Sequence, residues 1–108
     1  MAVDLRMTIP TQLVLEALLE DPARELYGLE IGNAADLRSG TVHPILARLE
    51  AVGWLTSRWE DIDASVEGRP ARRYYALTAD GVQAARAALA RAHRPAVLRR
   101  LRPQVGEA

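Results

Sequence analysis

A mainly α-helical fold with a small two-stranded β-wing is the class this sequence predicts, and three observations carry the prediction. Three segments with helical spacing of apolar residues occupy the first half of the chain, separated by short polar turns. Two short segments with aromatic and alternating character, 54–60 (WLTSRWE) and 72–77 (RRYYAL), then enclose a polar stretch containing Gly68 and Pro70. An alanine-rich segment with helical spacing follows from residue 79.

Residues 9–20 (IPTQLVLEALLE) are apolar around most of the circumference, so they predict a buried first helix that stops at Asp21-Pro22. Residues 26–37 (LYGLEIGNAADL) place Tyr27, Ile31 and Ala34 or Ala35 at helical spacing. Gly28 and Gly32 each cost a helix about 1 kcal/mol relative to Ala, which suggests close packing there. After a turn at 36–39, the segment SGTVHPILARLE (39–50) begins the third helix, about 39–52. Ser39 or Thr41 can each cap it, and with Thr41 as the cap Pro44 falls in the first turn, where a missing N–H removes no helical bond. Val42, Ile45, Leu46, Leu49 and Val52 then form its buried face, Gly53 ends it, and Thr41, His43, Ala47, Arg48 and Ala51 face outward. The strands of 54–77 make a hairpin with a projecting polar loop, in which adjacent Tyr74 and Tyr75 point to opposite faces and one of them enters the core. Trp54 and Trp59 are expected in or near the core. Thr78 caps a last helix over 79–94, which Pro95 ends or kinks.

Composition narrows the function classes. The 108 residues are 49% hydrophobic and 26% charged, the make-up of one globular domain. No apolar run approaches the roughly 18 residues of a membrane span, and MAVDLRMTIP lacks a signal-peptide layout, so a cytoplasmic protein is expected. There is no cysteine, and His43 and His93 lie far apart without acids at ligand spacing, so no metal or cofactor is expected. No GxSxG, HExxH, P-loop or GxGxxG occurs, and no nucleophile–base pair can be named, which argues against an enzyme. The net charge is zero but unevenly spread. Residues 1–36 hold two arginines against seven acids, and residues 68–108 hold nine against two. That asymmetry suits a polyanionic partner for one surface.

Helix-turn-helix followed by a hairpin is the arrangement of a winged helix-turn-helix domain, here residues 1–78, with residues 79–108 as a C-terminal dimerisation helix and basic tail. The quoted residues also resemble the PadR-type transcriptional regulators: YGLEI in the second helix, SGTVHPILARLEAVGWL through the third, then RWE and GRPARRYYALTADG across the wing into the last helix. The resemblance implies a homodimeric repressor that binds a palindromic operator in double-stranded DNA. The third helix would enter the major groove, the wing would touch the backbone and the last helix would cross to the partner subunit. It also implies release by a small-molecule effector. Some short members of the family hold flat ligands between tryptophans of the last helix, but residues 79–108 contain no Trp, Tyr or Phe.

Physical chemistry assigns the candidate site residues. Small residues and unpaired N–H groups at the start of the third helix attract phosphates, which suits Ser39, Gly40 and Thr41, and Arg38 and Pro44 beside them are also expected to face DNA. His43 stands where the family has the tyrosine of a T-[LV]-Y-P motif and can bond a base edge or phosphate. Arg48 can reach a phosphate or a guanine; the competing reading is an exposed arginine paired with a neighbouring acid. On the wing, Arg69, Arg72 and Arg73 are the phosphate candidates. Val82, Ala85, Leu89 and Ala92 form a sparse stripe on the last helix expected at a dimer interface, to which the first helix contributes Leu13 or Leu15. A winged helix used only as a protein-interaction module is the alternative reading, favoured by the acidic first half.

Overall fold

The computed structural model describes the backbone of residues 5–101 and the side chains of residues 5–92. Helix α1 (Ile9–Leu19) opens on Thr8, whose Oγ1 accepts the Thr11 N–H at 3.3 Å, and Pro10 sits in the first turn, where no helical bond is lost. Val14, Leu15 and Leu18 are buried.

The next apolar segment begins as a strand. Leu26–Tyr27 (β1) pairs antiparallel with Tyr75 and Tyr74, so helix α2 is shorter than its pattern, Gly28–Ala35. The sheet therefore has three strands in the order β1-β3-β2, not the two expected. A two-residue strand carries no period-2 signal; the free edge of β3 recruits it. Glu30 Oε1 accepts the Tyr27 N–H at 3.1 Å and fixes the change of direction. Asp36 closes α2 in the left-handed conformation (φ 57°), and the Leu37 N–H returns to the Gly32 carbonyl at 2.8 Å. Close packing explains Gly32, since a Cβ there would lie 2.9 Å from the Leu37 oxygen.

Helix α3 (Ser39–Ala51) starts at the expected residue, but neither of the expected caps, Ser39 or Thr41, caps it. The N–H groups of Thr41 and Val42 donate to the Arg38 carbonyl at 2.9 and 3.0 Å, so Arg38 is the cap residue, through its backbone alone. Pro44 consequently lies inside the helix and has no N–H to give the Gly40 carbonyl, which corrects its reading as a first-turn residue. The apolar face is as patterned: Val42, Ile45, Leu46 and Leu49 are buried against Val14, Leu15 and Ile31.

Strands β2 (Leu55–Trp59) and β3 (Arg73–Leu77) pair in register from Leu55 with Leu77 to Trp59 with Arg73. The connection contains one helical turn, α4 (Ala64–Glu67), capped by Asp63 and closed by Gly68 at φ 71°. Trp54 packs on the core, whereas Trp59 is 63% exposed; it lies at the far end of β2, beyond the reach of the helices. Tyr75 is the tyrosine that enters the core.

Helix α5 (Ala79–Leu101) continues through Pro95, which does not end it. Its start is clamped: the Thr78 N–H reaches the Trp54 carbonyl at 3.0 Å, Thr78 Oγ1 donates to the Gly53 carbonyl at 2.8 Å and accepts the Gly81 N–H at 2.9 Å. A Cβ on Gly81 would overlap the Trp54 carbonyl. Ala85 and Leu89, expected at a dimer interface, are buried in the core of their own chain with Ala88. Helix α5 packs on α1 and β3, and those contacts cover Ala85 and Leu89 within the chain. Leu13, Val82 and Ala92 are half-buried and retain surface.

Candidate nucleic-acid interface

Because four apolar side chains bind α3 to the core, its other side is held outward. Arg38, Ser39, Gly40, Thr41, His43, Pro44, Ala47 and Arg48 are all exposed. The first helical bonds come from Thr41 and Val42, leaving the N–H groups of Ser39 and Gly40 without an intrahelical partner. A Cβ on Gly40 would touch nothing within 4 Å, so no packing constraint inside the chain requires a glycine there. Its smallness matters only to something approaching from outside. Among the described residues, neither Arg38 nor Arg48 is ion-paired, so Arg48 is not neutralised by a neighbouring acid.

His43 lies across the start of α2. Its Cε1 is 3.0 Å from where a Cβ on Gly28 would stand, so the bare Gly28 backbone forms the seat for the imidazole. The glycine that looked unfavourable within a helix thereby sets the height of one outward-facing side chain of α3.

The wing differs from its sequence reading in charge. Arg69 donates from Nη1 and Nη2 to the Glu60 carboxylate at 2.7 and 3.0 Å, and the Arg72 N–H reaches the same carboxylate at 3.2 Å. Arg69 first, aided by that N–H, holds the Glu60 carboxyl down to about 2 from its ordinary 4.5. Arg73 donates to Glu50 at 3.3 Å and to Ser57 Oγ at 3.0 Å, between the rings of Trp59 and Tyr75. Arg69 and Arg73 are thus already counter-charged, as is Arg58, whose guanidinium binds Glu25 at 2.7 and 2.8 Å. Arg72 alone of the three candidates has no carboxylate on its side chain among the described residues; its guanidinium lies 4.4 Å over the Tyr27 ring. Tyr74 meets Tyr27 edge-on at 5.6 Å, and Arg58 covers Tyr74 at 5.1 Å. The outer sheet face is therefore a ladder of two arginines and two tyrosines. Tyr27 and Arg58 are not expected on this surface from sequence, since only the short β1 pairing brings Tyr27 beside the wing.

Comparison with known proteins identifies the family and the fold. A family model described as the transcriptional regulator PadR-like family matches residues 14–87. A PadR family transcription regulator from hypervirulent Clostridium difficile R20291 is 24% identical, with 73% of this chain and 81% of that one covered and a TM-score of 0.58. Reduced AbfR bound to DNA is 28% identical, with 85% and 55% covered and a TM-score of 0.57. AbfR of Staphylococcus epidermidis is 26% identical, with 91% and 57% covered and a TM-score of 0.59. The chain thus spans a little over half the length of AbfR. A search of curated proteins gave no match. No described helix is long and apolar enough to cross a membrane. With its three-helix core, its exposed third helix and its wing, the chain belongs to the PadR-like family of transcriptional regulators.

Proposed function

We propose that this chain is a sequence-specific DNA-binding regulator, a repressor that binds a palindromic operator as a homodimer. Helix α3 lies in the major groove and Arg72 contacts the adjoining backbone. The observation that carries the reading is the outward side of α3, where open N–H groups, a glycine free of internal packing and two arginines without acid partners occur together. Such a surface suits phosphates at its start and base edges along its length. AbfR, a relative in fold, has a DNA-bound structure, which supports DNA as the partner.

A homodimer would place two α3 helices in half-sites about 34–36 Å apart. Leu13, Val82 and Ala92 offer the remaining surface on α1 and α5, and an effector acting at that contact would change the half-site spacing. Mobility shift with a duplex from the gene's own upstream region tests the function. A retarded species below about 100 mM salt is expected, and none at that salt would reject DNA binding in favour of a protein-interaction module. Sizing at micromolar concentration should give twice the 11.9 kDa chain mass; a monomer would reject the dimer.

A further inference from the structure

We propose that a phosphate of the DNA backbone seats in the cavity between the segment leading into α1 and the recognition helix, held by Arg6 and Arg48. The inference rests on the DNA-binding reading and adds a contact outside both α3 and the wing. The cavity, about 310 Å³, is lined by Arg6, Thr8, Thr11 and Arg48. Two arginines and two threonines line it, and no acidic residue does. Like charges gathered around one space repel unless an anion lies between them. Two planar donor forks with adjacent hydroxyls match a tetrahedral oxyanion, since each arginine can give two parallel N–H bonds.

The placement of Arg6 is enforced. Leu5 and Met7 pack against the core on either side of it, and Gln12 Nε2 donates to the Met7 carbonyl at 2.8 Å, so the intervening side chain turns outward. Thr11 is 2% exposed, and its Oγ1 accepts a hydrogen bond from the Thr8 hydroxyl at 3.0 Å, so its own O–H can still donate. Arg48 lies seven residues beyond Thr41, on the same edge of α3. An anion in this cavity would therefore continue the line of phosphates that begins at the open N–H groups of Ser39 and Gly40. A backbone strand running along that edge fits both ends; a free oxyanion shares the chemistry and is the source to be told apart.

The test compares the full chain with its Arg6→Gln and Arg6→Lys variants, by titrating operator and unrelated duplexes at several salt concentrations. For Arg6→Gln, a salt slope shallower by about 0.9 per protomer is expected, with roughly tenfold weaker dimer binding to both duplexes at low salt. Arg6→Lys should keep the slope. An unchanged slope in Arg6→Gln, with wild type binding normally, would overturn the phosphate site while the DNA reading stands. A change confined to operator discrimination would overturn it too, in favour of a base contact. Absence of wild-type binding would reject both. A second arm titrates the DNA-free chain with inorganic phosphate and follows the Thr8 and Thr11 amide resonances. Shifts there, together with unaltered DNA binding by Arg6→Gln, would assign the cavity to a free oxyanion and overturn the backbone assignment.

Discussion

Replacing single wing arginines should separate the one that is available to DNA from those already paired. Arg72→Ala removes a guanidinium with no carboxylate partner among the described residues, hence up to one phosphate contact per protomer and two per dimer. At about 0.9 in salt slope per phosphate, the dimer slope becomes shallower by roughly 1.8, a relative change near tenfold over a fourfold salt interval. Arg69 must instead leave the Glu60 bonds of 2.7 and 3.0 Å before it can reach a phosphate. Arg69→Ala by itself also uncovers the Glu60 charge, so the informative variant is the double Arg69→Ala, Glu60→Gln, which removes the pair and leaves the local net charge unchanged. Fluorescence anisotropy with a labelled operator between 50 and 200 mM salt should give a wild-type slope for the double variant and a shallower one for Arg72→Ala. If the double variant loses as much slope as Arg72→Ala, Arg69 binds phosphate despite Glu60 and the reasoning from pairing is wrong.

Other outcomes follow from the packing. Gly81→Ala drives a methyl group into the Trp54 carbonyl and breaks the Thr78 clamp, at a cost of about 3 kcal/mol from overpacking and a lost hydrogen bond. Thermal unfolding should then shift down by roughly 10–25 °C, and a shift within 2 °C would contradict the clamp. Gly28→Ala should hold or raise stability, because alanine favours a helix by about 1 kcal/mol, while the displaced His43 changes operator discrimination. Unaltered discrimination in a competition assay would remove His43 from the recognition surface. The carboxyls of Glu60 and Glu25, lowered chiefly by bonds from Arg69 and Arg58, contribute stability that is present above their ordinary 4.5 and lost as pH falls. For Glu60 the loss extends to about pH 2. Unfolding temperature should be insensitive to these pairs from pH 7 to 5 and fall below pH 4.5, less steeply in Glu60→Gln. An identical acid limb in that variant would refute the pairing.

Long elements with strong periodicity were readable in the sequence because one face of each is buried. Val42, Ile45, Leu46 and Leu49 declare the orientation of α3, and from that orientation its outward residues follow. What depends on contacts between distant residues was not readable. The β1 pairing of Leu26 and Tyr27 is decided by the open edge of β3, and two residues carry no pattern of their own. The pairing of Arg69 with Glu60 and of Arg73 with Glu50 needs the hairpin register, so the wing looked more cationic than it is. Ala85 and Leu89 show the converse case: a sparse apolar stripe marks burial but does not say whether the same chain or another supplies the cover.

The most direct test of α3 as the DNA-reading element is amide chemical-shift mapping of the full chain on adding an operator duplex. The expected result is that the largest shifts fall on Arg38–Arg48, with a second group at Arg72 and the start of α1. Shifts confined to other surfaces, with the α3 amides unmoved, would contradict it.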